Sequence, residues 1–150
     1  RLFGVTRCDE ACFGEKDFQQ LMVLRQMVDD LAMPVRIVPG ALVRDDDGLA
    51  LSSRNKYLSA DQRRRALSLH RALFAMAEAE TEGTAGASAL LELGRSLIDT
   101  DELDYLELVD ARTLDPIDLV DRPARALVAA RYGATRLIDN VAVGPALTWD

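Results

Sequence analysis

Apolar and polar positions recur along the chain with periods that change from segment to segment, and those periods predict its elements. Residues 10–13, Glu-Ala-Cys-Phe, read as a short strand that stops at Gly14. From about Asp17 to Leu31 the apolar positions Phe18, Leu21, Met22, Met27, Val28 and Leu31 fall close to one helical stripe. Pro34 ends that helix, since proline fixes φ and has no N–H to donate, and Val35–Val38 reads as a second strand. Strand, helix and strand in this order are normally a piece of parallel sheet, because parallel pairing needs a crossover of about that length.

Residues 39–58 interrupt the periodicity with Pro39-Gly40, the triplet Asp45-Asp46-Asp47, Gly48 and Ser52-Ser53-Arg54-Asn55. A long loop of this kind is usually functional or disordered. Ser59-Ala60-Asp61-Gln62 is a capping-box pattern. It opens a helix to about Glu80 whose apolar positions include Leu67, Leu69, Leu73, Phe74, Met76 and Ala77. The stretch Thr81-Glu82-Gly83-Thr84-Ala85-Gly86 breaks it, and a second helix runs from about Ala87 to Ile98. Three strands are then expected, Asp104–Asp110, Ala126–Tyr132 and Arg136–Val143, the last two joined as a hairpin by Gly133-Ala134-Thr135. Two helices with a three-stranded antiparallel sheet make a small α+β domain. The junction with the preceding strand–helix–strand part falls near residues 39–50, giving expected parts 1–42 and 43–150.

Composition narrows the function. The 150 residues are 49% hydrophobic, enough to bury a sizeable core and too apolar for a disordered chain. No apolar run reaches the ~18 residues that span a bilayer, so no membrane partner is expected. The net charge of −7 is uneven: residues 1–75 carry 12 basic and 10 acidic side chains, residues 76–150 carry 6 and 15. The acidic second half would repel a phosphate backbone, which argues against a general nucleic-acid binder. The mildly basic first half can still hold a small phosphate-bearing ligand. Cys8 and Cys12 have a spacing compatible with one helix face and read as small buried apolar residues in a reducing cytoplasm. With one histidine they cannot complete a zinc site, and no metal ligands are assigned. His70, inside the long helix, reads as a structural side chain. The chain begins at Arg1 rather than Met and reads as cut, processed or split.

Two segments have the residues for nucleotide chemistry. Gly14-Glu15-Lys16-Asp17 sits where a strand gives way to a helix, and a helix N-terminus presents unpaired N–H groups and about half a positive charge to an anion. Gly14 admits close backbone approach, Lys16 adds a point charge, Asp17 can accept from ribose hydroxyls, and Gln20 lies one turn further on. The same residues also read as an ordinary helix cap. In the second segment, Asp47-Gly48-Leu49-Ala50-Leu51-Ser52-Ser53-Arg54-Asn55, two adjacent hydroxyls and a guanidinium can donate to phosphate oxygens, or the serines simply cap local turns. The two loops together favour a shared nucleotide site. Asp139-Asn140, in an otherwise apolar strand, reads as a pair that satisfies neighbouring polar groups, and Asp45-Asp46-Asp47 as a solvated loop without the pattern of a calcium site.

Three blocks carry a resemblance: Phe13-Gly14-Glu15-Lys16-Asp17-Phe18-Gln19-Gln20-Leu21; Val43-Arg44 followed by Asp47-Gly48-Leu49-Ala50-Leu51-Ser52-Ser53-Arg54-Asn55-Lys56-Tyr57-Leu58; and Thr135-Arg136-Leu137-Ile138-Asp139-Asn140. In this order and spacing, from about Arg7 to Val143, they resemble the pantothenate synthetase (pantoate–β-alanine ligase) family. The resemblance implies a nucleotidyltransferase-type enzyme that makes pantoyl adenylate and pyrophosphate from ATP and pantoate with Mg²⁺, then passes the pantoyl group to the amine of β-alanine with release of AMP. It implies ATP contacts at Gly14, Glu15, Lys16, Asp17, Val43, Leu51, Ser52, Ser53 and Arg54, and a pantoate contact at Gln20. Lys16, Ser52, Ser53 and Arg54 would be catalytic, neutralising charge as pyrophosphate leaves.

It further implies that the first part is the end of a Rossmann-like nucleotide-binding domain, that the second is a lid, and that the parent enzyme is a cytoplasmic homodimer. The family's two-histidine ATP motif and an additional pantoate-binding glutamine have no counterpart here, and Cys8 stands where the family usually has proline. The isolated chain is therefore expected to be inactive by itself. Two other readings remain: a non-catalytic module that docks with a separate N-terminal half, and a related adenylyl-transferring enzyme with another acid substrate.

Overall fold

The computed structural model describes residues 1–149 and divides them into two compact units, the first Arg1–Leu42 and the second beginning at Val43. The first unit holds α1 (Leu2–Thr6), β1 (Glu10–Gly14), a 3-10 turn (Glu15–Asp17), α2 (Phe18–Asp30) and β2 (Arg36–Gly40). β1 and β2 pair in parallel, from Glu10 opposite Arg36 to Gly14 opposite Gly40, as the strand–helix–strand order predicts. Phe18, Leu21, Val28, Val35 and Ile37 are its buried apolar residues. The apolar stripe is narrower than its sequence suggests: Met22 and Met27 are half-buried and Leu31 is exposed.

Three expectations for this unit need correction. α1 has no buried residue, so it left no apolar period to detect. β2 continues through Pro39 and Gly40, where a loop was expected, and those residues pair with Phe13 and Gly14; proline is tolerated because this strand lies at a sheet edge. Cys12 sits on β1 with its side chain exposed and Cys8 is half-buried before the strand. The two thiols share no helix face, and neither is a core residue.

The second unit opens with the 43–51 segment, continues through a 3-10 turn (Ser53–Tyr57), α3 (Ala60–Thr81) and α4 (Ala87–Leu97), and ends in β3 (Glu102–Asp110), β4 (Ala124–Tyr132) and β5 (Thr135–Val143). The sheet is antiparallel in the order β3-β4-β5. The α+β architecture is thus a helix-backed parallel pair followed by two helices and a three-stranded antiparallel sheet. The capping box at the start of α3 forms in full: the Ser59 hydroxyl accepts from the Gln62 N–H at 3.2 Å, and the Gln62 side chain accepts from the Ser59 N–H at 2.9 Å. A cap of this kind contributes about 1 kcal/mol.

The core lies between the helices and one face of the sheet, where Leu69, Leu73, Met76 and Leu90 meet Leu106, Leu108, Val128 and Tyr132. Small residues on β4 (Ala124, Ala126, Ala130) let the helices approach. Gly94 does the same on α4, since a Cβ there would lie 2.5 Å from the Met76 sulfur and 2.9 Å from a Leu106 methyl. Phe74, counted with the apolar stripe of α3, is 40% exposed and lies outside this core. Each strand begins earlier than its apolar run. β3 starts at Glu102 and is irregular between Leu103 and Tyr105, β4 starts at Ala124, and Thr135 belongs to β5, leaving Gly133-Ala134 as the turn.

Ion pairs fasten the loop before β3. Arg65 of α3 donates to Asp99 at 2.9 Å and Asp101 at 2.8 Å, and Asp101 also accepts the Gly133 N–H at 2.6 Å. The Gly133 N–H, then Arg65, hold the Asp101 carboxyl below the ordinary aspartate range. A depressed carboxyl adds stability at pH values above its unfolded pKa, and that stability is lost as pH falls through the folded value. Thermal midpoints followed from about pH 7 to about pH 2 should therefore fall below about pH 4. Asp101→Asn should start lower at neutral pH and show a smaller acid-induced drop; an unchanged pH profile would refute the assignment.

Candidate functional site

In the first unit, β1 delivers Gly14 to the N-terminal end of α2. Glu15, Lys16 and Asp17 fill a single 3-10 turn between them, so the four residues present their backbone at the positive end of a 13-residue helix. Asp17 is the N-cap of α2, with Oδ1 accepting the Gln20 N–H at 3.1 Å. The capping role read from the sequence is therefore present, and it occupies one carboxylate oxygen. Gly14 is exposed, and a Cβ there would meet nothing within 4 Å. Glu15 and Lys16 are half-buried, and Gln20 is exposed one turn into the helix.

In the second unit, the 39–58 region that lacks periodicity is largely ordered by backbone bonds from residue 43 onward. Arg44 and Ala50 form an antiparallel bridge, the Asp45 N–H donates to Leu49 C=O at 2.8 Å, and the Leu51 N–H donates to Val43 C=O at 2.9 Å. The segment is a short hairpin with Gly48 near its tip, and it brings Val43 and Leu51 side by side. Both side chains are exposed, at 59% and 47%. Only Leu49 and Ala50 anchor the hairpin by burial.

Ser52 then caps the 3-10 turn, its hydroxyl accepting the Arg54 N–H at 3.2 Å. Asn55 returns to the hairpin through Nδ2, which donates to Ala50 C=O at 3.1 Å. Ser53 and Arg54 are exposed on the outside of that turn. Arg54, Tyr57, Gln62, Tyr132, Thr135 and Arg136 are among the walls of an open cavity of about 460 Å³.

The electrostatics separate Arg54 from its neighbours. Arg63 is held by Asp45 at 2.7 Å and Asp47 at 2.8 Å, so the acidic triplet is partly an anchor for α3 and less of a solvated loop than its sequence implies. These carboxylates raise the Arg63 pKa, and Asp47 is correspondingly lowered: desolvation opposes the shift, while the Leu49 N–H and Arg63 drive it. Arg136 is paired with Asp104, and Arg44 with Asp139. Arg54 enters no ion pair among the described residues, which leaves its charge available to an anion. No group of three or more His, Cys, Asp or Glu side chains that could hold a metal occurs among the described residues.

The pattern reading of the sequence gave no role to Arg44 and Arg63, whose partners lie elsewhere in the chain, nor to Asn55, which bonds back to Ala50. Asp139 was read as satisfying nearby polar groups, and its main partner is Arg44, 95 residues away. His70 is half-buried on α3, packed against Phe74 with ring centroids 4.2 Å apart and the planes tilted by 53°. Gly48, at φ +94°, packs directly on it; a Cβ there would fall 2.7 Å from the imidazole Cδ2. Burial, then the charge of Arg44, holds the His70 pKa below its ordinary value.

The chain can be set beside known proteins. It is 52% identical over 148 residues to the pantothenate synthetase of Rhizorhabdus wittichii, covering 97% of this chain and 52% of that protein. With the Trichlorobacter lovleyi enzyme it is 45% identical over 147 residues, covering 96% and 52%. The crystal structure of pantothenate synthetase from Thermus thermophilus superposes with a TM-score of 0.91 at 44% identity, covering 97% of this chain and 53% of that one. Pantoate-beta-alanine ligase from Francisella tularensis, complexed with beta-gamma ATP and beta-alanine, matches with a TM-score of 0.63 at 26% identity, covering 93% and 46%. The chain thus spans about half the length of the curated relatives it matches. Residues 1–142 fit the family model for pantoate-beta-alanine ligase, and the chain belongs to that family, the pantothenate synthetases.

Proposed function

We propose that this chain supplies the ATP-contacting segments of an enzyme that condenses pantoate with β-alanine through pantoyl adenylate. The observation that carries the reading is the Leu51–Val43 backbone bond. It ties a residue assigned to the adenine to the segment assigned to the phosphates, and unpaired Arg54 follows three residues later. In the first unit, Gly14 to Asp17 offer backbone donors and the Lys16 charge to ATP, and Gln20 is assigned to pantoate.

In the first step a pantoate carboxylate oxygen bonds to the α-phosphorus and the bond to the leaving pyrophosphate breaks. Lys16, Arg54 and the hydroxyls of Ser52 and Ser53 oppose the charge that builds on the departing oxygens. In the second step the β-alanine amine forms the amide at the acyl carbon, loses a proton, and AMP departs. Positioning and charge suffice, with no enzyme nucleophile. Mg²⁺ enters this reading with the nucleotide, and no step is assigned to it.

In this reading residues 1–42 are the end of a Rossmann-like nucleotide-binding domain and 43–150 its lid, in a cytoplasmic homodimer. The 150 residues alone do not complete adenylation in this reading. A chimera joining this chain to the unmatched half of the R. wittichii relative should show pantoate-dependent ATP–pyrophosphate exchange with Mg²⁺ and β-alanine-dependent AMP release. A folded chimera that is inert with pantoate overturns the assignment, and exchange by the chain alone overturns its incompleteness. A second reading, a module that docks with a separately supplied half, is favoured by the parallel sheet of only two strands, because such sheets are normally extended and covered on both faces. A rise in solution mass on adding that half as a separate polypeptide would support it.

A further inference from the structure

We propose that Arg44 and Asp139 are a positioning pair for ATP, seating the 43–51 hairpin on β5 so that Val43 and Ser52–Arg54 are held in one arrangement. The proposal rests on the functional reading above and assigns roles to two residues that touch no substrate. Arg44 gives Asp139 a two-point contact, Nη1 to Oδ2 at 2.7 Å and Nη2 to Oδ1 at 2.9 Å. The same guanidinium donates to Gly48 C=O at 3.0 Å and Asn140 C=O at 3.3 Å, and lies 5.4 Å from the centre of the Phe74 ring. One side chain therefore closes the hairpin on itself and fastens it to a strand almost a hundred residues away.

Burial makes the pair unusual as a mere stabiliser. The Asp139 side chain is 4% exposed and that of Arg44 18%, and Asp139 sits on the apolar face of the sheet, opposite Val128. Ions in such surroundings lose hydration that their mutual attraction only roughly restores, so apolar side chains of similar volume could often replace them without loss of stability. A buried fork of this kind is better suited to select one geometry. The hairpin needs that selection. Its two positions assigned to the nucleotide, Val43 and Leu51, leave their side chains largely in solvent, so packing of those side chains does not determine where their backbone lies.

The test compares wild type with Arg44→Met/Asp139→Leu, which replaces both charges by apolar groups, and with Arg44→Lys, which keeps the charge and loses the fork. Three quantities are read on the full chain: melting temperature, ATP affinity by calorimetry, and hydrogen exchange at the Leu51 amide. The expected result is a double variant that melts within about 5 °C of wild type, a change of about 1 kcal/mol for a domain of this size. Its Leu51 amide should exchange faster, and ATP should bind about tenfold more weakly, as for a loop competent about a tenth of the time. Arg44→Lys should fall between the two, and it decides the matter alone if the double variant does not fold. Wild-type affinity in a folded variant with an unchanged Leu51 amide overturns the positioning role. If wild type binds no ATP, the functional reading fails instead; faster exchange at Leu51 in the variants would then still support the seating of the hairpin, and unchanged exchange would overturn it.

Discussion

Replacing Arg54 by alanine should slow pantoate-dependent pyrophosphate exchange in the chimera about a hundredfold while leaving the melting temperature of the protein unchanged. The size follows from removing one preplaced charged donor from developing phosphate charge, which typically costs about 10²–10³ in rate. The unchanged stability follows from the structure. Arg54 is exposed and unpaired among the described residues, and only its backbone N–H is used, by Ser52. Arg54→Lys should recover part of the rate, since it restores the charge without the planar fork. A small effect of Arg54→Ala on exchange would place the phosphates elsewhere.

Leu73→Ala should strongly destabilise the second unit, by about 3 kcal/mol within the 2–5 kcal/mol usual for buried leucine truncations. Leu73 has no exposed surface and lies in the cluster with Met76 and Leu90. The lost side chain leaves a void between rigid helices and a sheet, so the core cannot collapse around it. With a urea slope of about 1.5 kcal/mol/M, the midpoint should fall by about 2 M. Its neighbour supplies the control. Phe74→Ala removes a larger side chain, but one that is 40% exposed and outside that cluster, and it should cost well under half as much. Equal losses at the two positions would mean that the described core is wrong.

That contrast also shows where sequence reasoning reaches its limit. Leu73 and Phe74 both belong to the apolar positions of a single helix, and periodicity could place the helix without saying which of two adjacent residues faces the sheet. Local signals carried well: the Ser59–Gln62 box needs only residues three apart, and it formed as written. The strand–helix–strand order implied parallel pairing, and the three final strands were recognisable from their β-formers. Strand ends were less visible because Glu102 and Thr135 are held in the sheet by partners on other strands. Cys12 was misread because a small side chain carries little information about which face of a strand it occupies.

At the site, the residues proposed to contact ATP could be named only through a resemblance of wording. The side chains that hold them were not, because Arg44 meets Asp139 across 95 positions and Arg63 reaches back to Asp45 and Asp47. No local period encodes such pairs.

The packing of Gly48 on His70 makes the hairpin spectroscopically visible. The Gly48 α-proton that points where a Cβ would stand is directed at the imidazole, so the ring current displaces its resonance from the usual glycine position. With nine glycines in the chain, that signal can be resolved and followed. It should move as His70 gains its proton, at a pH below the ordinary histidine range because burial and the Arg44 charge disfavour the imidazolium. It should return toward the common glycine position whenever the hairpin leaves its seat. A single proton line thus reports the state of the 43–51 hairpin without a label, a substrate or a turnover.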